Sequence, residues 1–295
     1  MNPANPQSMD FQQYLQTLAG LADAQAGFFG PRSMVWRISR EPVLLLFGMR
    51  ALLLQIAHPV VAQGVADHSN YRHNPLGRGI RTFQAVHAMV FGSRDTALEA
   101  ALMVHKVHSR VHGRLADPLP PGFDREYSAG DPQALLWVAA TLLDSSILAY
   151  ERCIEPLSEA DKERFYQEGK RFGQLFGVPL QLYPATWADF ITWMANTIAS
   201  DKIVVTATAK DILHGLLFGT WFTRIIAPIN YAIAAMTLPH KLRLQFGLKQ
   251  PLWVRATYKA TLIFTSLFMR SIPRRIRAVP AARHAERRLS HPITR

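Results

Sequence analysis

The chain has 295 residues, 49% of them apolar, and a formal net charge of +12. This length can bury a large core, and the apolar share is ordinary for a globular protein. The single cysteine, Cys153, excludes an internal disulfide framework and a metal site made of cysteines alone. The absence of a Cys-x-x-Cys-His motif excludes covalently attached c-type haem.

The first predicted elements are helices, and the alternating pattern of strands is nearly absent from the whole chain. Residues 11–26 form a short amphipathic segment, and an apolar helix begins near Pro42, where a proline costs no hydrogen bond. The dipeptide His58-Pro59 interrupts that helix because an interior proline removes a backbone donor and clashes with the preceding turn. A polar loop over residues 70–79 follows, with the turn signal of an Asn-Pro pair.

The next predicted helices cover residues 79–91 and 94–112, the second capped by Ser93 and ended by Gly113. The pair Asp131-Pro132 begins a long helix over residues 134–154, which is apolar nearly all round and therefore central.

Further caps at Ser158 and Thr186, with a break at Gly177, predict helices up to residue 269. The sequence thus predicts an all-α fold. We expect an N-terminal helical extension (1–40), one multi-helix domain (41–269) and a basic C-terminal tail (270–295).

The tail contains eight arginines against one acid, Glu286. It predicts either a solvated tail or a peripheral contact with anionic lipid, and no specific nucleic-acid contact because no aromatic residue interleaves with the arginines. The N-terminus lacks the order of a secretory signal. The apolar runs 213–238 and 261–269 are interpreted as core helices, because the first carries polar residues and the second is too short to span a bilayer. We therefore expect a cytoplasmic protein.

Three histidines, His105, His108 and His112, share one face of the predicted helix 94–112. The alternative to a ligand role is ordinary hydrogen bonding. Zinc would need further ligands, and a di-iron site would need paired Glu-x-x-His motifs that the sequence lacks. Haem needs only one or two protein ligands, so it fits the scarcity of carboxylates better.

A basic turn, Arg78-x-x-Arg81-Thr82, lies about one helix length upstream of the histidines. Its guanidinium groups favour an anion such as a propionate, and the alternative is a basic helical turn in water. Arginine at a helix N-terminus opposes the macrodipole, which weakens that alternative. His58 is expected to be buried, either hydrogen-bonded in the core or as a group that moves protons. Asp144, alone on an apolar helix, should pair with an arginine or accept from a histidine N–H.

At these residues the sequence resembles the oxygenase family that contains the rubber oxygenase (latex-clearing protein) and the endoplasmic-reticulum-bound oxygenase mpaB. The matching motifs are Leu54-Gln55-Ile56-Ala57-His58-Pro59, Arg78-x-x-Arg81-Thr82, Phe91-Gly92, Val107-His108-x-x-Val111-x-Gly113, Asp131-Pro132-x-x-Leu135-x-Trp137-Val138-x-Ala140-Thr141-Leu142 and Gly177-Val178-Pro179. They extend over roughly residues 47–214, and the resemblance implies a globin-like all-α domain.

The resemblance also implies a non-covalent b-type haem, with His108 as the metal ligand and Arg78 and Thr82 near the haem. A lysine that closes the distal side in rubber-cleaving relatives corresponds to Arg81 here, which is not expected to ligate iron. His112 stands where those relatives carry arginine, and it remains a rival ligand.

Together these features predict a haem b-dependent oxygenase that acts on a hydrophobic, unsaturated substrate, with dioxygen opposite the proximal histidine. Arg78, Thr82 and His58 are the predicted catalytic residues, and Arg78, Arg81, His108 and His112 the predicted haem contacts. The alternative is a non-enzymatic haem- or lipid-binding helical protein that associates with membranes.

Overall fold

The structure is a computed structural model that describes residues 10–69 and 75–290, without the side chains of residues 75, 76, 78 and 275. The described residues confirm the all-α prediction: helices make up most of them, and the two short strands form one small hairpin.

The helices of the first half are α1 (Phe11–Ala19), α2 (Met34–Ser39), α3 (Val43–Leu46), α4 (Gly48–Ile56), α5 (Pro59–His68), α6 (Pro75–Phe91) and α7 (Arg94–His108). The antiparallel strands are β1 (His112–Arg114) and β2 (Glu126–Ser128), with Gly113 opposite Tyr127. The helices of the second half are α8 (Pro132–Cys153), α9 (Glu159–Leu175), α10 (Trp187–Ala199), α11 (Ala207–Phe218), α12 (Trp221–Thr237), α13 (His240–Gln245), α14 (Leu252–Ser271), α15 (Arg274–Arg277) and α16 (Pro280–Ser290), with a 3₁₀ turn at Leu180–Leu182.

Local signals place several helix starts correctly. The side chains of the predicted caps Ser93, Asp131, Ser158 and Thr186 each accept the backbone amide three residues on. Helix α4 ends before the predicted break, and α5 begins at Pro59. Helix α6 begins four residues earlier than predicted, at a proline, which is favoured in a first helical turn.

The prediction that one helix carries three histidines on one face is wrong, because α7 ends at His108. His112 lies instead on β1, where pairing with β2 satisfies the backbone. The amide of Ala129 also donates to the carbonyl of Val111 at 2.8 Å. These partners lie more than a dozen residues downstream, so the helical spacing of the histidines does not reveal them.

The core centres on α8, as its apolar surface predicts. Helix α8 packs against α3, α4, α9 and α14. Its buried Trp137 donates its indole N–H to the carbonyl of Leu54 at 2.9 Å, which ties α8 to the end of α4. Among the described residues, α8 is the only helix that is by itself long and apolar enough to cross a membrane. Most of its apolar stretch is buried inside the protein, and α11 and α12 meet the same criterion only as a pair bent by 112°.

Asp144 pairs with an arginine, one of its two predicted kinds of partner, and that arginine is Arg50 of α4. The guanidinium of Arg50 lies 2.7 Å from a carboxylate oxygen of Asp144 and donates to Ser145 Oγ at 2.6 Å. Its Nε donates to the carbonyl of Thr237 at 3.2 Å. One side chain therefore links α4 to α8 and to the end of α12.

The C-terminal tail packs on the helical body as far as Ser290. Arg277 forms a two-pronged ion pair with Glu41 at 2.8 and 2.9 Å. Arg40 pairs with Glu286 at 2.9 Å, and Arg288 donates to the carbonyl of Phe91 at 2.7 Å. The prediction of a solvated tail is therefore wrong for these residues, because several arginines have partners on the body. Residues 291–295 lie outside the described part.

Glu41→Ala should destabilise the fold by about 3–5 kcal/mol, because it leaves the guanidinium of Arg277 buried without its anion. The two side chains are only 4% and 7% exposed. Asp95→Ala is the matched control: it breaks the exposed pair with Arg94 and should cost less than about 1 kcal/mol. Urea unfolding measures both, and equal midpoints for the two variants would contradict the account.

Candidate functional site

An apolar cavity of about 380 Å³ lies between α3, α4, α6, α8, α9 and α12. Its α6 wall consists of Gly79, Thr82, Phe83, Val86, His87 and Val90, which recur at the spacing of one helix face. Aliphatic and aromatic side chains from the other helices complete most of the surface. The volume falls in the range of cofactor and small-molecule sites.

A few polar groups interrupt the apolar wall. They are Ser39, Gln55, Thr82, His87, Ser145, Ser146, Thr223 and Asn230. Ser145 is the residue that accepts from Arg50, so the Arg50–Asp144 pair supports the cavity wall from behind. A small number of polar groups in an otherwise apolar cavity is typical of a site that orients an apolar ligand.

His87 is the imidazole of this cavity, and the sequence analysis did not single it out. Its ring contacts Phe83 and Phe91 edge-on, at centroid distances of 5.8 and 5.5 Å. Burial lowers its pKa, so the ring is neutral at neutral pH. Its position four residues after Phe83 on an apolar face is the sequence signal that could have pointed to it.

The predicted basic turn lies at the start of α6. Thr82 and Arg81, the residue before it, are both exposed, and of the two only Thr82 lines the cavity. The backbone of Arg78 lies in α6, but its side chain is outside the described residues. Of the two side chains of this turn that the structure describes, Thr82 alone reaches the cavity.

His108, the ligand that the resemblance implies, is the last residue of α7. Two residues join α6 to α7 and the helices pack together, so this antiparallel hairpin places the end of α7 beside the N-terminal half of α6. Burial lowers the pKa of His108, and the charge of His105 lowers it further. His108 is not among the residues that line the apolar cavity. His105 points elsewhere and stacks on Phe11 with a centroid distance of 3.9 Å.

His58 and His112 line a second, polar cavity with Tyr127, Asp131 and Lys202. His58 is buried, and its Nδ1 has no hydrogen-bond partner among the described residues. Burial lowers the pKa of His58 to about 4, with Asp131 opposing the shift and Lys202 adding to it. The predicted catalytic pair of His58 and Thr82 therefore does not meet in one cavity.

The described residues contain no group of three His, Cys, Asp or Glu side chains that could hold a metal ion. The donors that remain near the α6–α7 hairpin are single imidazoles.

The all-α fold agrees with the fold that the resemblance implies. The family pattern "ER-bound oxygenase mpaB/B'/Rubber oxygenase, catalytic domain" matches residues 36–273, and the chain belongs to this family. Similar proteins include the uncharacterized proteins Mb2261 of Mycobacterium bovis and Rv2237 of Mycobacterium tuberculosis. Each is 26% identical over 187 residues, which cover 61% of this chain and 70% of the relative. No solved structure matches the chain.

Acidification should destabilise the fold through His58. Its pKa is about 4 in the folded protein and 6.5 when unperturbed, so between these values the unfolded chain binds a proton that the folded protein does not. Stability is therefore fully present above pH 6.5 and falls as the pH drops towards 4, by up to about 3 kcal/mol.

Urea unfolding across this pH range measures the effect. His58→Asn, which does not titrate here, should show a shallower loss than the wild type, since the other buried histidines remain in both proteins. Identical pH profiles for the two proteins would refute the assignment.

Proposed function

We propose that this chain is a haem b-dependent oxygenase that acts on an apolar, unsaturated substrate. The single observation that carries the proposal is the apolar cavity behind α6, the helix that bears the Arg78-x-x-Arg81-Thr82 turn. Membership of an oxygenase family supports the reaction class, and the apolar wall supports the substrate class.

The donors present fit a non-covalent haem. Iron in haem takes a neutral imidazole, and burial lowers the pKa values of both His108 and His87. Cys153 does not compete as a thiolate, because burial raises the pKa of its thiol to about 11. The exposed Arg81 lies beside the cavity-lining Thr82, where a guanidinium would meet a propionate at the rim.

We assign the iron ligand to His108, with Arg78 and Arg81 as the partners of the propionates. When bound, the haem would supply the redox chemistry that activates dioxygen. His108 is preferred to His112 because it is the more buried of the two and belongs to the hairpin that carries Thr82, whereas His112 lies on β1 in the polar cavity.

Within the cavity, the chain's own groups orient the reactant and move protons. The Thr82 hydroxyl can hydrogen-bond to a polar atom of the reactant, and the neutral His87 ring can accept a proton. The apolar side chains of the wall would shield from water the part of the reactant that they cover. His58, a predicted group for proton movement, lines the polar cavity and not this one.

The second candidate is a non-enzymatic haem or lipid carrier, because an apolar cavity also holds an acyl chain without reaction. Dioxygen uptake by the haem-loaded chain with an unsaturated long-chain hydrocarbon separates the two. Uptake supports the oxygenase, and tight binding of the hydrocarbon without uptake supports the carrier.

Replacing His108 with alanine should remove the Soret absorption band of the haem-loaded protein, because the iron loses its imidazole. His87→Ala should keep the band, since His87 faces the reactant in this assignment. The exposed His240, on α13, provides the matched control, and His240→Ala should behave as the wild type.

Added imidazole should restore the band to His108→Ala, which a merely unfolded variant would not allow. If His87→Ala loses the band and His108→Ala keeps it, the ligand is His87 and our assignment is wrong.

A further inference from the structure

Two neighbouring helices, α12 and α14, present large apolar side chains to solvent. We call these residues the apolar patch: Trp221, Phe222 and Ile225 on α12, with Ile263, Phe264 and Leu267 on α14. Their exposed fractions range from 38% to 75%. Clustered apolar residues of this size mark a contact with another molecule or a membrane, whereas single exposed residues need no explanation.

Helices α12 and α14 pack together, and the contact between Tyr231 and Trp253 indicates that they run antiparallel. Tyr231, near the end of α12, stacks on Trp253, near the start of α14, with a centroid distance of 5.7 Å. The Tyr231 hydroxyl also accepts the backbone amide of Lys249 at 2.9 Å. The first turns of α12 therefore lie beside the second half of α14, where the other members of the patch are found.

The surroundings of the patch are cationic. No Asp or Glu occurs in residues 212–285, between Asp211 and Glu286. The same segment holds eleven Lys and Arg residues: Arg224, Lys241, Arg243, Lys249, Arg255, Lys259, Arg270, Arg274, Arg275, Arg277 and Arg283. Four of them, Arg224, Arg255, Lys259 and Arg270, are exposed on α12 and α14 themselves.

We propose that the apolar patch inserts into the interface of an anionic lipid bilayer. A bilayer offers acyl chains to the patch and anionic headgroups to the surrounding cations. Trp221, the most exposed member of the patch, has the side chain that favours this interface. A symmetric contact with a second copy would bring the same cations face to face, which opposes self-association.

This surface replaces the basic tail as the membrane contact. Arg277 and Arg288 of the tail are engaged on the body, whereas the patch is open to solvent. Helix α12 has its other side in the apolar cavity, where it contributes Thr223, Ile226 and Asn230. Docking through the patch would hold the cavity one helix diameter, about 10 Å, from the lipid. Binding of the patch to a bilayer depends on these exposed side chains and does not require haem.

The test is sedimentation of the full chain with phosphatidylcholine vesicles that contain or lack phosphatidylserine. The wild type should bind the anionic vesicles, and added salt should weaken that binding. The triple variant Ile225→Ser, Phe264→Ser, Leu267→Ser should bind at least about tenfold more weakly. Arg224→Gln with Lys259→Gln should lose the preference for phosphatidylserine.

The matched control is Leu21→Ser, Met103→Ser, Leu244→Ser, three exposed apolar residues outside α12 and α14, and it should bind as the wild type. Equal binding by the patch variant and the control would overturn the proposal. So would a wild type that ignores vesicles but forms a dimer that the patch variant abolishes, since the patch would then join two copies.

Discussion

The guanidinium of Arg50 is the polar contact that holds the cavity walls together. It is almost fully buried, and it binds Asp144 and Ser145 of α8 as well as the carbonyl of Thr237 at the end of α12. A buried cation is tolerated only where its partners satisfy it, so α4, α8 and α12 are held in one relative arrangement. Those three helices form the wall of the apolar cavity together with α3, α6 and α9. The position of the site therefore depends on one ion pair that lies behind its wall.

Much of the fold follows from local signals in the sequence. Ser93, Asp131, Ser158 and Thr186 each have a side chain that caps the helix it precedes, and His58-Pro59 separates two helices because proline cannot continue one. The family could also be recognised from spaced motifs, because the residues that carry them extend over most of the matched domain.

What the sequence did not predict depends on contacts between distant residues. Helix α7 ends early because β1 pairs with β2, and the tail docks because Arg277 meets Glu41, 236 residues away. His87 was missed for another reason: an imidazole in an apolar row of a helix has the pattern of core packing. His58 and Thr82 lie in two different cavities because α5 packs against α11 and the strands, whereas α6 packs against α7. The periodicity of the two helices does not determine these partners.

Three features lie on one helical body: the α6–α7 hairpin, the apolar cavity and the apolar patch. The α6–α7 hairpin carries the proposed ligand His108, the cavity behind α6 is the proposed site of the apolar reactant, and α12 separates that cavity from the apolar patch. The hairpin and the cavity meet at Gly79 and Thr82, the described residues of the basic turn that line the cavity.

The central claim is that a haem held by the hairpin adjoins this cavity. The most direct measurement is a titration of the haem-loaded chain with an unsaturated long-chain hydrocarbon, followed at the Soret band in the wild type and in Gly48→Leu. Gly48 lines the cavity, and a Cβ built there meets no atom from the rest of the fold within 4 Å, so a larger side chain at this position would take up cavity space. The account predicts a saturable shift of the band in the wild type that Gly48→Leu loses. The same shift in both proteins, or a wild-type chain that takes up no haem, would contradict it.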